Sequence, residues 1–234
     1  MALPKLDVPI YELTLPSTDE PISYRPFLVK EEKILLMATE GKDTKEITTA
    51  IKQILNNCIL TDEIKPDKLP LFDIEYILLN LRARSMGDVI KTNYVHKDCK
   101  PVELEIDVRT IEIHKNPEHT NKIELTGDVG LIMKYPDITM MNQVQNIDTQ
   151  KTDEAFNIIA KCIESVYDEE NVYNKSDYTP KELKEFILNL TQEQFKKLEV
   201  FFETMPKLYK DIEFNCNCGY KETIRMEGLA IFFG

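Results

Sequence analysis

The segment DIEFNCNCGYKETIRME (211–227) places Cys216 and Cys218 between two runs that alternate apolar and polar residues. Residues i and i+2 of an extended chain point to the same side, so the two thiols converge on one point. Gly219 follows at once and allows the backbone to turn sharply. A disulfide between cysteines this close in the chain would close a small, strained ring. The segment therefore favours a metal ligand pair over a disulfide.

A second segment, KTNYVHKDCKPVELEIDV (91–108), carries the matching pair of ligands. His96 and Cys99 are separated by two residues, a common spacing for zinc ligands, and lie in a predicted turn between two β-patterned runs. His96, Cys99, Cys216 and Cys218 together would complete a tetrahedral zinc site without an open position. The sequence thus predicts one structural zinc ion per chain, held by two hairpin tips as in a zinc ribbon. The alternative is three unpaired surface thiols and an ordinary loop histidine.

The remaining cysteines and histidines have simpler interpretations. Cys58 and Cys162 fall on the apolar stripes of predicted helices, where a free cysteine is usually a small core residue. His114 and His119 flank Pro117 in a polar loop, so both side chains are expected to be solvated.

The N-terminal residues predict an extended segment. Five prolines within residues 1–30 disfavour helix, and IYELTL (10–15) alternates with period two. One or two strands are expected there, pairing either within the chain or with a partner protein. Apolar residues at helical spacing predict helices over about 44–58 and over 71–87, with Gly87 as the stop.

The second half of the chain mixes strands with helices. VELEIDVRTIEI (102–113) predicts a half-buried strand, because its residues alternate between apolar and polar from Val102 to Arg109. Thr179 and Thr191 each begin a capping-box pattern, which marks two helix starts in a helical block at about 150–208. The segment YDEENVYNK (167–175) between the helices is interpreted as a surface loop.

These patterns predict an α+β fold in two parts that form one compact unit. Residues 1–90 would hold the extended N-terminal strand segment and helices. Residues 91–234 would form a small zinc-ribbon-like β portion, into which the helical block at about 150–208 is inserted.

Composition and motifs exclude several classes of function. The 234 residues carry 41 acidic and 29 basic side chains, a net charge of −12, which repels nucleic-acid phosphates. No apolar run approaches the roughly 18 residues of a membrane span, and the N-terminus lacks a secretory signal pattern. The phosphate-loop, dinucleotide, zinc-protease and serine-hydrolase motifs are absent, so no catalytic residue, bound cofactor besides zinc, or small-molecule substrate is predicted.

Five segments carry a resemblance to a known family. LPSTDEPISYRPFLVKEEKILLMA (15–38), LFDIEYILLNLRARSMGD (71–88), the cysteine-bearing hairpins and the terminal GLAIFFG (228–234) resemble the baseplate hub subunit family of T4-like contractile-tailed bacteriophages. The likeness spans nearly the whole chain. Its most specific parts are Arg25-Pro26-Phe27 and the predicted helix at 72–87.

The resemblance implies a non-enzymatic phage protein that helps to build the central hub of the tail baseplate. It would be a structural subunit of the virion or an assembly factor, made in the host cytoplasm, with other hub proteins as partners and without a membrane. The alternative function is a zinc-ribbon adaptor that binds nucleic acid or the transcription machinery. That function would need a basic face beside the zinc, for which Lys91, Lys97, Lys100 and Lys221 are the candidates.

Overall fold

The computed structural model describes residues 6–41, 43–141 and 152–228. The chain divides into two compact units, one of Met1–His114 with Lys207–Gly234 and one of Lys115–Pro206. The predicted boundary near residue 90 stays a prediction. The terminal segment GLAIFFG (228–234) lies outside the described residues, apart from Gly228. Among the described helices, none is long and apolar enough to cross a membrane.

Helices and strands alternate irregularly along the chain, which confirms the α+β class. In chain order the described elements are β1 (Tyr11–Thr14), β2 (Pro21–Tyr24), α1 (Val29–Gly41), α2 (Thr44–Cys58), α3 (Leu71–Met86), β3 (Val89–Tyr94), β4 (Val102–Asp107), β5 (Glu112–His114), β6 (Lys122–Thr126), β7 (Val129–Met133), α4 (Thr152–Cys162), β8 (Ile163–Tyr167), β9 (Val172–Asn174), α5 (Pro180–Leu188), α6 (Gln192–Thr204), β10 (Lys207–Asn215) and β11 (Lys221–Glu227).

Helices α2 and α3 confirm the prediction from apolar spacing. The Asp43 side chain caps α2 by accepting a hydrogen bond from the Lys45 N–H at 2.8 Å. Helix α3 stops at Gly87, whose φ of 98° lies in the region that favours glycine. Both helices bury their apolar stripes, so the sequence pattern matches the packing.

The N-terminal segment forms a hairpin within this chain. Strand β1 pairs antiparallel with β2, with Tyr11 opposite Tyr24. The turn between them is tied to the start of α3, where the backbone N–H of Ser17 donates to the Asp73 carboxylate at 3.1 Å. Of the two pairings left open by the sequence, the structure shows the one inside the chain.

The strands of the first unit form small antiparallel sheets. Strands β3 and β4 pair with each other, and β10 lies between β5 and β11. They enclose a core with α3, whose buried members are Leu79, Ile90, Ile106, Val108, Ile111 and Leu208.

The prediction of one continuous strand over 102–113 is wrong. A 3-10 turn at Val108–Thr110 separates β4 from β5. The Asp107 side chain accepts a hydrogen bond from the Arg109 N–H at 3.0 Å, which favours the turn over a continued ladder.

The second unit packs α4, α5 and α6 against a four-stranded antiparallel sheet of order β6-β7-β8-β9. Both capping boxes at Thr179 and Thr191 are present, as predicted. The prediction of a helical block at about 150–208, with a surface loop at 167–175, is wrong in its middle part, where β8 and β9 lie. Strand β8 pairs with β7 and β9 pairs with β8, because pairing with a neighbouring strand overrides the apolar spacing that continues from α4.

Candidate metal centre

The first ligand pair lies in the turn between β3 and β4. The backbone N–H of Cys99 donates to the carbonyl of His96 at 3.0 Å, which closes a tight turn. Lys97 adopts a positive φ of 50° inside it. The turn therefore holds the imidazole and the thiol at fixed positions on one hairpin tip.

The second ligand pair lies in the turn between β10 and β11. The Gly219 N–H donates to the Cys216 carbonyl at 2.9 Å, and the Cys216 N–H donates to the Tyr220 carbonyl at 2.8 Å. Gly219 has a φ of 91°, which a residue with a side chain rarely adopts. The glycine that follows the two cysteines is thus required by the turn that presents them.

The structure brings both turns together in the first unit. The donor atoms of His96, Cys99, Cys216 and Cys218 all lie within 4.8 Å of one another. Nδ1 of His96 is 3.5 Å from Sγ of Cys218 and 3.9 Å from Sγ of Cys99. All four residues predicted from the sequence as ligands are therefore placed at one point.

The two distances from Nδ1 of His96 to sulfur fit a tetrahedral zinc ion. With Zn–S of about 2.3 Å and Zn–N of about 2.0–2.1 Å, a sulfur and a nitrogen ligand are about 3.6 Å apart. The two measured distances from His96 bracket that value. The cluster could hold a metal ion, and its soft sulfur donors favour zinc over oxygen-preferring cations such as magnesium.

A small apolar cluster between the two hairpins packs next to the candidate centre. Phe214 is fully buried, Leu104 and Cys216 are almost fully buried, and the ring of Tyr94 meets the edge of Phe214 with centroids 4.7 Å apart. The hairpins β3–β4 and β10–β11 belong to different sheets, so side chains rather than backbone hydrogen bonds join them here. A bound metal would add four bonds to this narrow contact.

Tyr220 positions the imidazole from the solvent side. Its ring stacks on His96 with centroids 3.9 Å apart and planes inclined by 2°. Its contact with His96 is not among the features predicted from the sequence. Its place directly after Cys218 and Gly219 was the available signal.

The pKa values of the Cys218 and Cys99 thiols are shifted in opposite directions. The backbone N–H of Tyr220, with Cys216 and His96, lowers the pKa of Cys218 to about 6. The neighbouring sulfurs of Cys216 and Cys218 raise the pKa of Cys99 to about 11. A negative charge on one sulfur thus disfavours ionisation of its neighbour, and a bound cation would offset that repulsion.

The remaining cysteines confirm their predicted packing role. Cys58 and Cys162 are fully buried, and burial raises their pKa values to about 11 and about 12. Both thiols are enclosed by the core, where a free cysteine packs as a small apolar residue and is chemically inert.

The prediction for the histidines outside the centre is right for one of them. His114 is exposed and stacks on Tyr209 with centroids 3.8 Å apart. His119 is instead half-buried between the rings of Tyr135 and Phe201, so the expectation that it is solvated is wrong. The aromatic rings that cover it come from residues distant in sequence.

Comparison of the chain with known proteins finds a match to one family model. The family model described as T4 bacteriophage base plate protein matches residues 8–234. No curated protein and no solved structure matches the chain significantly.

Proposed function

Because the chain belongs to the T4 bacteriophage base plate protein family, we propose that it serves in the central hub of the baseplate of a contractile tail. It acts there as a structural subunit or as an assembly factor, and it catalyses no reaction. The observation that carries this proposal is the family match over residues 8–234, which leaves little of the chain for a separate function.

The residues that carry the resemblance support a structural role. Arg25 pairs with the fully buried carboxylate of Glu31, with Nη2 and Oε1 3.0 Å apart. The Phe27 N–H donates to Oγ of Ser85 near the end of α3 at 2.8 Å. These residues join the N-terminal segment to helices, so they act on the framework of the protein.

We further propose that His96, Cys99, Cys216 and Cys218 hold one structural zinc ion per chain in the manner of a zinc ribbon. The closed set of three sulfurs and one nitrogen, and the separations of the donor atoms, support it. A closed ligand set leaves no position for a reacting water molecule. Zinc would then stabilise the contact between two hairpins that lie far apart in sequence.

The proposed partners are other hub proteins, met in the host cytoplasm during assembly and, for a structural subunit, in the finished tail. The proposal includes no membrane, no nucleic acid and no small-molecule substrate. The case for the alternative adaptor function is weakened by Lys91, one of the four lysines that could form its basic face. The Nζ of Lys91 lies 2.6 Å from Glu105 and 3.3 Å from Glu103, so its charge is locally compensated.

The hub role is tested by placing an amber codon in the gene of the phage that encodes this chain. In a non-suppressing host, we expect heads without attached tails and no complete baseplates by electron microscopy, with recovery in a suppressing host. Infectious particles at normal yield in the non-suppressing host would refute the role.

Mass spectrometry separates the two forms of the proposal. Purified particles are compared with infected lysate for peptides of this chain. Presence in particles at a fixed ratio to other tail proteins supports a structural subunit. Presence in the lysate alone supports an assembly factor.

A further inference from the structure

An apolar groove of about 350 Å³ opens on the surface of the second unit. It lies between the sheet and helix α5, and its lining residues are Val166, Tyr173, Tyr178, Glu182, Leu183 and Phe186. Tyr173 and Tyr178 meet edge to face with centroids 6.3 Å apart, and both remain exposed. Its size suits two or three apolar side chains.

Strand β9 forms the open side of this groove. Within the described part of the sheet, β9 is the last strand and pairs with β8 alone. Val166 and Tyr173 are opposite each other in that pair and therefore face the same side. A strand added to the outer edge of β9 would continue the sheet and direct alternate side chains into the groove.

Tyr173 is held in place by a hydrogen bond. Its hydroxyl donates to the Asp168 carboxylate at 2.7 Å, and the N–H groups of Glu170 and Asn171 donate to the same carboxylate. This aromatic wall of the groove therefore keeps its orientation without a ligand.

Four acidic side chains lie on the segments that form the groove, and together they are called its acidic rim. Glu182 lines the groove, Glu169 and Glu170 occupy the turn that joins β8 to β9, and Asp177 directly precedes Tyr178. All four are exposed.

The lysines on the same segments are already engaged. Lys175 donates to the carbonyl of Lys161, Lys184 pairs with Asp153, and Lys181 pairs with Glu185 at 3.9 Å. Carboxylates neutralise Lys184 and Lys181, whereas Lys175 keeps its charge. Four acidic side chains against this one lysine leave the rim net negative, so it complements a basic ligand.

We propose that this groove binds an extended peptide segment of another protein, in which apolar side chains alternate with lysine or arginine. The apolar side chains enter the groove beside Tyr173 and Tyr178, the basic ones meet the acidic rim, and the backbone pairs with β9. Only one part of the proposal rests on the proposed function, namely that the bound segment belongs to another baseplate protein.

A defined peptide probe tests the groove with the full chain. Fluorescence anisotropy is measured with a labelled nonapeptide in which lysine alternates with valine and leucine. Two control peptides replace every lysine by glutamate or every apolar residue by serine. We expect saturable binding of the first peptide alone, weakened by added salt.

Two triple variants with the same change of net charge distinguish binding at the rim from non-specific attraction of the basic peptide to the acidic protein. The rim variant is Glu169→Gln, Glu170→Gln and Glu182→Gln, in which glutamine at 182 preserves the capping box. The control variant is Glu193→Gln, Glu199→Gln and Glu203→Gln on α6, away from the lining residues. The rim variant should bind at least about fivefold more weakly and the control variant less than about twofold.

Tyr178→Ser tests the apolar wall, with circular dichroism as the check of folding, and should weaken binding by a similar factor. Equal weakening in the two triple variants, equal binding of all three peptides, or no binding at millimolar peptide would overturn the proposal. The proposal would also be overturned if the free protein dimerised and the rim variant did not, because the groove would then bind a second copy of the chain. None of these results would affect the hub role, which the amber experiment tests separately.

Discussion

Nδ1 of His96 lies 3.5 Å from Sγ of Cys218, although 122 positions separate the two residues in the chain. Each belongs to a different hairpin, and the hairpins share no backbone pairing. The relationship therefore depends on the apolar cluster beneath and, in our proposal, on zinc.

The first prediction concerns metal content. Protein purified without chelator or metal-affinity resin should contain close to one zinc per chain by mass spectrometry of the metal. The double variant Cys216→Ser, Cys218→Ser should lose zinc and melt at a lower temperature, because the hairpin contact loses its link. His96→Asn should lower zinc occupancy.

His114→Asn is the matched control for His96→Asn, since His114 is an exposed histidine outside the cluster, and it should keep full occupancy. Cobalt(II) added to metal-free protein should give the strong visible absorption of a tetrahedral sulfur-rich site. If the parent protein contained no zinc as purified and the double variant were equally stable, the metal proposal would fail.

The second prediction concerns the buried ion pair of Arg25 and Glu31. Besides Arg25, the Glu31 carboxylate accepts from the Leu28 N–H at 2.9 Å and from Asn57 at 3.2 Å. Glu31→Ala should lower the free energy of unfolding by about 3–5 kcal/mol, because it leaves the guanidinium without its partner. Urea unfolding measures this loss. Glu32→Ala, at the exposed neighbouring position, should change stability by less than about 0.5 kcal/mol.

The same pair predicts sensitivity to acid. Burial alone would raise the pKa of Glu31, but the hydrogen bonds from Arg25 and Leu28 outweigh it and lower the pKa below its usual 4.5. Its contribution to stability is therefore present above pH 4.5 and is lost as the pH falls through the lowered pKa. The Glu31→Ala variant should lose less additional stability than the parent on acidification. A parallel loss in both proteins would contradict this assignment.

The third prediction concerns Glu75 on α3. Burial and the nearby Glu227 carboxylate raise the pKa of Glu75 from 4.5 to about 8. The folded state thus keeps a proton that the unfolded chain has lost, so stability falls as the pH rises from about 4.5 to about 8.

Glu75→Gln removes that cost and should stabilise the protein by roughly 1–2 kcal/mol at pH 8.5, with little effect at pH 4.5. Thermal melting at both pH values measures the difference. Glu63→Gln, at an exposed loop position, serves as the control. A gain at pH 4.5 as large as that at pH 8.5 would contradict the raised pKa.

The fourth prediction concerns Gly130 in β7. A Cβ at this position would lie 2.5 Å from the Ile123 carbonyl oxygen and would also meet the Tyr167 hydroxyl. Gly130→Ala should therefore destabilise the protein by about 2–3 kcal/mol, because neighbouring strands on both sides must move.

Gly127→Ala provides the comparison, because a Cβ at Gly127 meets no atom within 4 Å and only its positive φ of 51° is strained. It should cost about 1 kcal/mol. Denaturant unfolding of both variants gives the order of the two losses, and the reverse order would show that Gly130 is not tightly packed.

Local patterns were sufficient for elements that depend on neighbours in the chain. Helix α2 and both capping boxes follow from apolar spacing and from side chains that cap their own helix. Strand β8 could not be predicted in this way. Its apolar residues continue the spacing of α4, and only pairing with β7 distinguishes strand from helix.

The sequence by itself determined the composition of the candidate centre. It placed a histidine and three cysteines in two short turns, and it supplied the glycine that one turn requires, because turn geometry depends on a few adjacent residues. Only the tertiary structure decided that the turns meet, that Tyr220 covers His96 and that aromatic rings enclose His119. Such contacts join residues far apart in the chain, and their positions follow from the packing of whole hairpins and helices rather than from any local pattern.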